Sequence, residues 1–220
     1  MQITKHTIRD QEFCLSSERS VFWQKEKTLI ASDLHFGKTG HFRKAGIAVP
    51  QSVYKEDLQR LFNLITFFKA DRLLIVGDLF HSTANLELEW FDRWRKDHEY
   101  LSVDLVQGNH DILNASWYKH SGIAVTKGSL HIGEFCFQHD PAECIVGNQA
   151  NEDPYLFTGH IHPGVVISGL GKQSLRFPCF YFGRDHCILP AFSRFTGAVS
   201  VNPKDAEAVY AIVNHSIIRV

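Results

Sequence analysis

Cysteine is sparse in this chain and follows no pattern. There are five, at positions 14, 136, 144, 179 and 187, an odd number without a single C-x-x-C pair. That argues against both a disulfide framework and a thiolate zinc site, and suits a reducing compartment. Surplus charge is missing too. Lys and Arg number 23 against 24 Asp and Glu, for a net charge of −1, so there is no global nucleic-acid footprint and any basic surface must be local. No apolar stretch approaches the ~20 residues of a membrane span, and residues 1–20 lack the long apolar core behind a basic start that marks a signal peptide. The expectation is a soluble, cytoplasmic protein with no membrane partner. Repeats, low-complexity tracts and Pro/Ser linkers are also absent, so the 220 residues are expected to form one domain, 1–220. A globule of this size buries roughly 70–75% of the surface its unfolded chain exposes and needs no staple.

What is present is a repeated arrangement of apolar runs, each closed by a metal-binding type of side chain. Thr28 to Ser32 leads to Asp33 and His35, and Arg72 to Gly77 leads to Asp78. Val103 to Gly108 leads to Asn109, His110 and Asp111; Glu134 to Gln138 leads to His139; Tyr155 to Gly159 leads to His160 and His162. Short apolar runs ending in Gly or a polar cluster read as buried strands. In open α/β sheets the ligand site lies at the carboxyl ends of such strands. One site is therefore expected to gather two Asp, one Asn and at least four His.

Between these runs the spacing of Val53, Leu58, Leu61, Phe62, Ile65 and Phe68 gives a helical apolar stripe from Pro50 to Lys69. Leu86, Trp90, Phe91 and Trp94 mark a second helix over 86–96, and its Trp pair reads as core packing and not as a base-stacking platform. After Asp111 the pattern turns to strands only, at 123–126, 129–132, 134–139, 154–158, 164–168, 179–183 and 186–189. A parallel first half and an antiparallel second half predict an α/β fold, two packed mixed sheets flanked by helices in an α-β-β-α sandwich.

The donor set is oxygen and imidazole without thiolate, which suits Mn, Fe or Zn. A carboxylate can bridge two cations about 3.5–4 Å apart, the spacing of two-metal hydrolytic sites, and Asp78 in the middle of the order is the natural bridge. Such ions lower the pKa of water and neutralise charge on a phosphoryl oxygen. D-x-H puts Asp33 and His35 on one side of an extended segment. His110 lies beside Asn109 but points the other way, where a protonated imidazole could serve as general acid.

The order D-x-H, G-D, G-N-H-D, H, G-H-x-H resembles the calcineurin-like metallophosphoesterases over residues 32–163. The resemblance implies one metal on Asp33, His35, Asp78 and His162, and a second on Asp78, Asn109, His139 and His160, with His110 as the acid. It implies two divalent ions, manganese favoured, with iron, zinc or cobalt as alternatives. In Gly77-Asp78-Leu79-Phe80-His81, the position where many phosphatases of the superfamily carry Asp holds His81. That form resembles the double-strand-break-repair nucleases, where the extra His supports the acid and helps place the nucleic-acid backbone. Residues 32–38, 42–50, 162–165 and 189–197 resemble the bacterial DNA ligase-associated metallophosphoesterases, with Ser193 standing where that family is expected to have Gly. This resemblance implies DNA as a partner and a DNA ligase or helicase as companions in a repair system.

Lys38, His41, Arg43 and Lys44 form a basic loop after the first ligand pair, read equally well as solvated surface or as phosphate contacts; Arg194 is a further substrate-contact candidate. His98, His120, His131 and His186 read as ordinary histidines, and Asp140 as a residue supporting a turn or a neighbouring ligand. The leading expectation is a metal-dependent phosphodiester hydrolase, a DNA-directed nuclease or phosphodiesterase in repair. The alternatives are a hydrolase of small phosphodiesters or nucleotides, and a metal-binding scaffold of a repair complex with little activity, against which the intact His110 argues.

Overall fold

The computed structural model describes residues 1–38, 46, 52–81, 86–143, 153–169 and 173–220. Its first sheet contains β1 (Ile3–Ile8), β2 (Gln11–Ser16), β3 (Ser20–Trp23), β4 (Thr28–Ala31), β5 (Arg72–Val76), β6 (Ser102–Val106) and β7 (Ile123–Thr126), in that spatial order. The strands β1 to β4 are antiparallel, and β4 to β7 run parallel. The parallel crossovers include helices α1 (Ser52–Phe68), α2 (Leu86–Asp97) and α3 (Ala115–His120).

The second sheet runs β14 (Val199–Ser200), β11 (Pro163–Ser168), β12 (Ser174–Phe182), β13 (His186–Ile188), β10 (Tyr155–Thr158), β9 (Phe135–Gln138) and β8 (Ser129–Ile132). Off β12 branch β15 (Ala208–Val213) and then β16 (Ser216–Arg219).

Two mixed sheets with helices match the fold expected from sequence, with three differences in detail. The strand at 123–126 joins the parallel sheet as β7, beside β6. A short helix, α3, interrupts the stretch expected to hold strands only. The second sheet is not wholly antiparallel, because β9, β10 and β13 pair in parallel. Of these, β9 delivers His139 and β10 the 160–162 pair.

Strands β4 and β5 are buried on both faces, which explains their unbroken apolar runs. Leu29, Ala31, Leu73 and Ile75 face a core shared with α1, α2 and α3. Ile30, Leu74 and Val76 face the core between the sheets. That inner core is built on aromatic contacts, with Phe13 and Trp23 of the first sheet edge to face against Phe135 of the second, and Phe137 stacked on Phe157 within the second. On α1 the buried face also includes Tyr54 and Leu64, while Trp90 and Trp94 of α2 pack against the core as expected.

Helical cover is uneven. The outer cluster of the second sheet, around Cys179, Val209 and Ala211, packs against Ile161, Val201 and Ala206, and no helix residue among the described ones joins it. Cys14, Cys136, Cys179 and Cys187 are buried; Cys144 lies outside the described residues. Among the described residues no helix is long and apolar enough to cross a membrane.

Candidate metal centre

Pairing continues past the ends of β4 and β5. Asp33 N–H donates to the Gly77 carbonyl (3.1 Å), His35 N–H to Asp78 (2.9 Å) and Phe36 N–H to Leu79 (2.9 Å). On the other flank Phe192 N–H donates to Ser32 (2.8 Å) and Ser193 N–H to Asp33 (3.2 Å), so residues 191–193 run beside the first motif. The Ser193 side chain accepts from Phe195 N–H and adds a local tie to that loop.

Asp33 and His35 do not share a face through strand alternation, as their spacing suggested. Both lie in the left-handed region (φ +54° and +51°), as do Asp78 (+52°), His160 (+65°) and His162 (+52°). An L-residue there is disfavoured by roughly 1–2 kcal/mol, and such outliers gather at functional sites. Glycine makes the close approach possible. At Gly77 (φ +78°) a Cβ would stand 2.0 Å from His139 Nδ1, and at Gly108 one would stand 2.3 Å from Asp78 Oδ1.

The two carboxylates are held by one oxygen each. Asp33 Oδ2 accepts from Ser32 Oγ (2.5 Å) and from the His160 N–H (3.1 Å). Its Oδ1, fully buried, makes no hydrogen bond although His162 Nε2 stands 3.1 Å away. Asp78 Oδ1 accepts from the His110 N–H (3.0 Å), while Oδ2 faces His139 Nε2 (3.4 Å) and His35 Nδ1 (4.0 Å).

The imidazoles are oriented in the same fashion. His139 Nδ1 donates to the Val76 carbonyl (3.1 Å), which turns Nε2 inward, 3.2 Å from Asn109 Oδ1 and 3.3 Å from His160 Nδ1. His162 Nδ1 meets Thr196 Oγ1 (3.1 Å), leaving its Nε2 3.3 Å from His35 Nε2. His160 Nε2 lies 3.8 Å from Asp140 Oδ2, whose other oxygen accepts from Ala142 N–H, so Asp140 supports both a turn and an imidazole.

Nitrogen and oxygen lone pairs this close, with Asp33 Oδ1 and His35 Nδ1 buried and unsatisfied, fit divalent cations. Two groups of donors converge, Asp33 with His35 and His162, and Asp33 and Asp78 with His139. Asp33 therefore borders both positions, as Asp78 was expected to do.

Charge follows the same geometry. Burial would raise the Asp78 carboxyl, but His139, the His110 N–H and His35 outweigh it and hold it at about 2. Burial would lower His139, but Asp78 above all, with Asp33 and the Val76 carbonyl, raises it to about 9. His35 goes the other way, to about 3, because burial outweighs the pull of Asp33.

His81 and His110 stand side by side, ring centroids 4.3 Å apart, with His35 at 5.5 and 5.9 Å from them. Lys38 Nζ reaches Thr196 Oγ1 (3.4 Å), which puts its charge beside His162. His41, Arg43 and Lys44 lie outside the described residues. Arg194 is not brought to this cluster; its guanidinium pairs with Glu18 (2.7 Å). His186 pairs with Asp185, and His98 meets the Trp94 carbonyl, in keeping with their ordinary reading.

Sequence reasoning missed Ser32, Thr196 and the Val76 carbonyl, which orient donors. Ser32 adjoins D-x-H, but nothing in its type distinguishes it from a strand-end serine. In the sequence Asp111 stands in the G-N-H-D motif with no role of its own.

Fold and donor set together define a metal-dependent phosphoesterase. The sequence matches the family model of the calcineurin-like phosphoesterases over residues 26–186, and the chain belongs to that family, whose members use divalent metals. Among solved structures it is similar to a nuclease, MPE, from Pseudomonas putida, at 26% identity over 100% of both chains with a TM-score of 0.82. A second, YfcE, a phosphoesterase from E. coli, shares 18% identity over 88% of this chain and 97% of its own, at a TM-score of 0.47. No curated protein matches the sequence.

Asp111 clamps the two loops that carry Asp78 and Asn109. Its fully buried carboxylate accepts from Phe80 N–H (3.1 Å) and Gly108 N–H (2.9 Å). Asp111→Ala strands the buried Phe80 donor and should destabilise the protein by about 1–3 kcal/mol. A urea midpoint lowered at constant slope is the expected result; an unchanged midpoint removes the clamp.

Proposed function

We propose that the chain is a dinuclear-metal-dependent phosphodiester hydrolase directed at nucleic acid, with DNA in repair as its setting. The observation that carries this reading is His81 packed against His110 at 4.3 Å, beside the converging donors. A nuclease similar along its whole length supports it. The first ion is assigned to Asp33, His35, Asp78 and His162, the second to Asp78, Asn109, His139 and His160. Manganese is the proposed metal, although the same donors accept iron, zinc or cobalt.

When bound, the ions supply a lowered water pKa and neutralise charge on the phosphoryl group. The chain's own residues do the rest. His110 is placed to hold a proton for the leaving oxygen, its backbone fixed by Asp78 Oδ1 and its ring by His81. Lys38, whose pKa burial lowers against the pull of Asp33 and Asp78, adds a positive group for a phosphate oxygen. Contacts of this kind position a strand and carry no base information. The near-neutral net charge favours a second reading, hydrolysis of small phosphodiesters or nucleotides. Assaying the metal-loaded protein on single-stranded DNA, duplex DNA and a cyclic dinucleotide side by side separates them; turnover of the cyclic dinucleotide alone overturns the nuclease reading.

The proposed sharing of Asp78 between the two ions sets the metal content. Two ions per chain are expected, with Asp78→Ala disturbing both and His35→Ala mainly one. A single ion, retained at wild-type stoichiometry in Asp78→Ala, would falsify the bridged centre.

Proton release accompanies loading. In the metal-free protein the raised His139 stabilises the fold fully below its ordinary value near 6.5, and that contribution is lost as pH rises through about 9. At pH 7 His139 is therefore protonated, and ligation must expel that proton. Loading in weak buffer with a pH indicator should release about one proton from this group, and affinity should climb towards pH 9. Affinity flat between pH 6 and 9 removes His139 from the donor set.

His110→Ala should keep both ions while slowing turnover by about 10²–10⁴-fold. The loss should shrink on a nitrophenyl phosphodiester, whose leaving group needs no proton. An equal loss on activated and ordinary diesters rules out the acid role.

A further inference from the structure

Behind His162 lies a pocket of about 190 Å³ lined by Arg19, Arg176, Thr196, Pro163, Gly197 and His162 itself, among others. Among the described residues no carboxylate lines it. Arg60, Arg72 and Arg194 each pair with an acid, whereas Arg19 and Arg176 have no such pair among the described residues. Both guanidiniums are anchored by Nη1 to the 191–198 loop, Arg19 on the carbonyls of Ser193 (2.7 Å) and Ala191 (3.4 Å), Arg176 on that of Ala198 (2.9 Å). A guanidinium carries five donors in a fixed fork. The loop therefore uses one nitrogen of each and fixes the plane of the others.

The backbone makes room for this arrangement. Gly164 of β11 sits under the stem of Arg176, and a Cβ there would come within 3.1 Å of Arg176 Cγ and 2.8 Å of Ala198 Cβ. Lys38 Nζ on Thr196 Oγ1 adds a third positive group at the rim. The His162 ring is the shared wall, with Nε2 turned to Asp33 and Nδ1 to Thr196.

We propose that this pocket is a second phosphate subsite, in which Arg19 and Arg176 take the phosphate adjacent to the one being hydrolysed. The proposal rests on the phosphodiesterase reading above and narrows it to substrates carrying at least two phosphates along a strand. Planar, bidentate recognition of phosphate is what a fixed guanidinium does best. A diester with a single phosphate fills the metal centre and leaves the pocket to water.

The test uses the dinucleoside monophosphate TpT and its forms bearing an additional 5′ or 3′ terminal phosphate. At least one phosphorylated form should show kcat/KM about 10-fold above TpT, mostly in KM, the factor that one charge-assisted contact supplies. Arg176→Ala should bring that ratio towards 1, and Arg176→Lys should keep part of it. Arg176 is exposed on β12, so the variant should melt like wild type, whereas Arg19 holds a loop and is the poorer choice. Independently of turnover, Arg176→Ala in metal-free protein should flatten the slope of log affinity for a short oligothymidylate against log salt by about 0.7. Equal turnover of all three substrates by wild type, or an equal loss on all three in the variant, overturns the subsite and leaves the diesterase reading standing. Failure on every diester, with hydrolysis of a phosphomonoester retained, overturns both.

Discussion

Asp33 and Asp78 bring two carboxylates into the interior, and the rest of the centre answers that constraint. Their exposures are 0% and 2%. A buried anion is costly unless it is paired and hydrogen-bonded. Backbone N–H groups of His160 and His110 and the hydroxyl of Ser32 satisfy one oxygen of each. The other two oxygens are left to cations or imidazolium. Without metal, His139 carries that charge, which explains how burial and ion pairing act on it in opposite directions. The same contacts thus keep a metal-free protein folded and define where metal enters.

This arrangement needs chain segments that turn sharply at strand ends without losing their place. Five of the seven expected ligands adopt left-handed backbone, and each stands where a parallel strand stops. The strain is borne by the sandwich. Strands β4 and β5 are clamped between two apolar cores, and Asp111 and the 191–193 segment tie the loops from either side. A loosely packed scaffold would relax such loops towards ordinary turns, and the donors would separate.

Much of this was legible in the sequence because it is written in local signals. Apolar runs gave the buried strands, and Gly before Asp78, Asn109 and His160 marked where backbones approach. The α1 and α2 stripes were visible for the same reason, as 3.6-residue periodicity survives in tertiary contact. What could not be read depends on contacts between distant residues. β15 and β16 lie beyond the last motif, and their place on β12 is a matter of long-range pairing. Parallel pairing of β9, β10 and β13 leaves no local trace, since both faces of each are covered in either orientation. D-x-H was read with strand periodicity, and left-handed φ at both residues is what brings them together instead. Arg194 looked like a substrate contact on sequence alone, and only the fold reveals Glu18, 176 positions away, as its partner.

The division of labour among the basic residues follows from those partners. Arg60 is buried between Asp57, Glu18 and the ring and carbonyl of Phe192, so it holds the late loop against α1. Arg194 closes the same acidic residue from the surface side. With the acids of that region in contact with Arg60 and Arg194, Arg19 has no acid within ion-pair distance among the described residues and donates to backbone carbonyls of the 191–198 loop, while Asp57 and Glu18 act on it from further off. Lys38, on the opposite rim, is drawn by Asp33 and Asp78 but shares Thr196 with His162. Thr196 thus joins the His162 imidazole to a lysine through one hydroxyl oxygen that accepts from both.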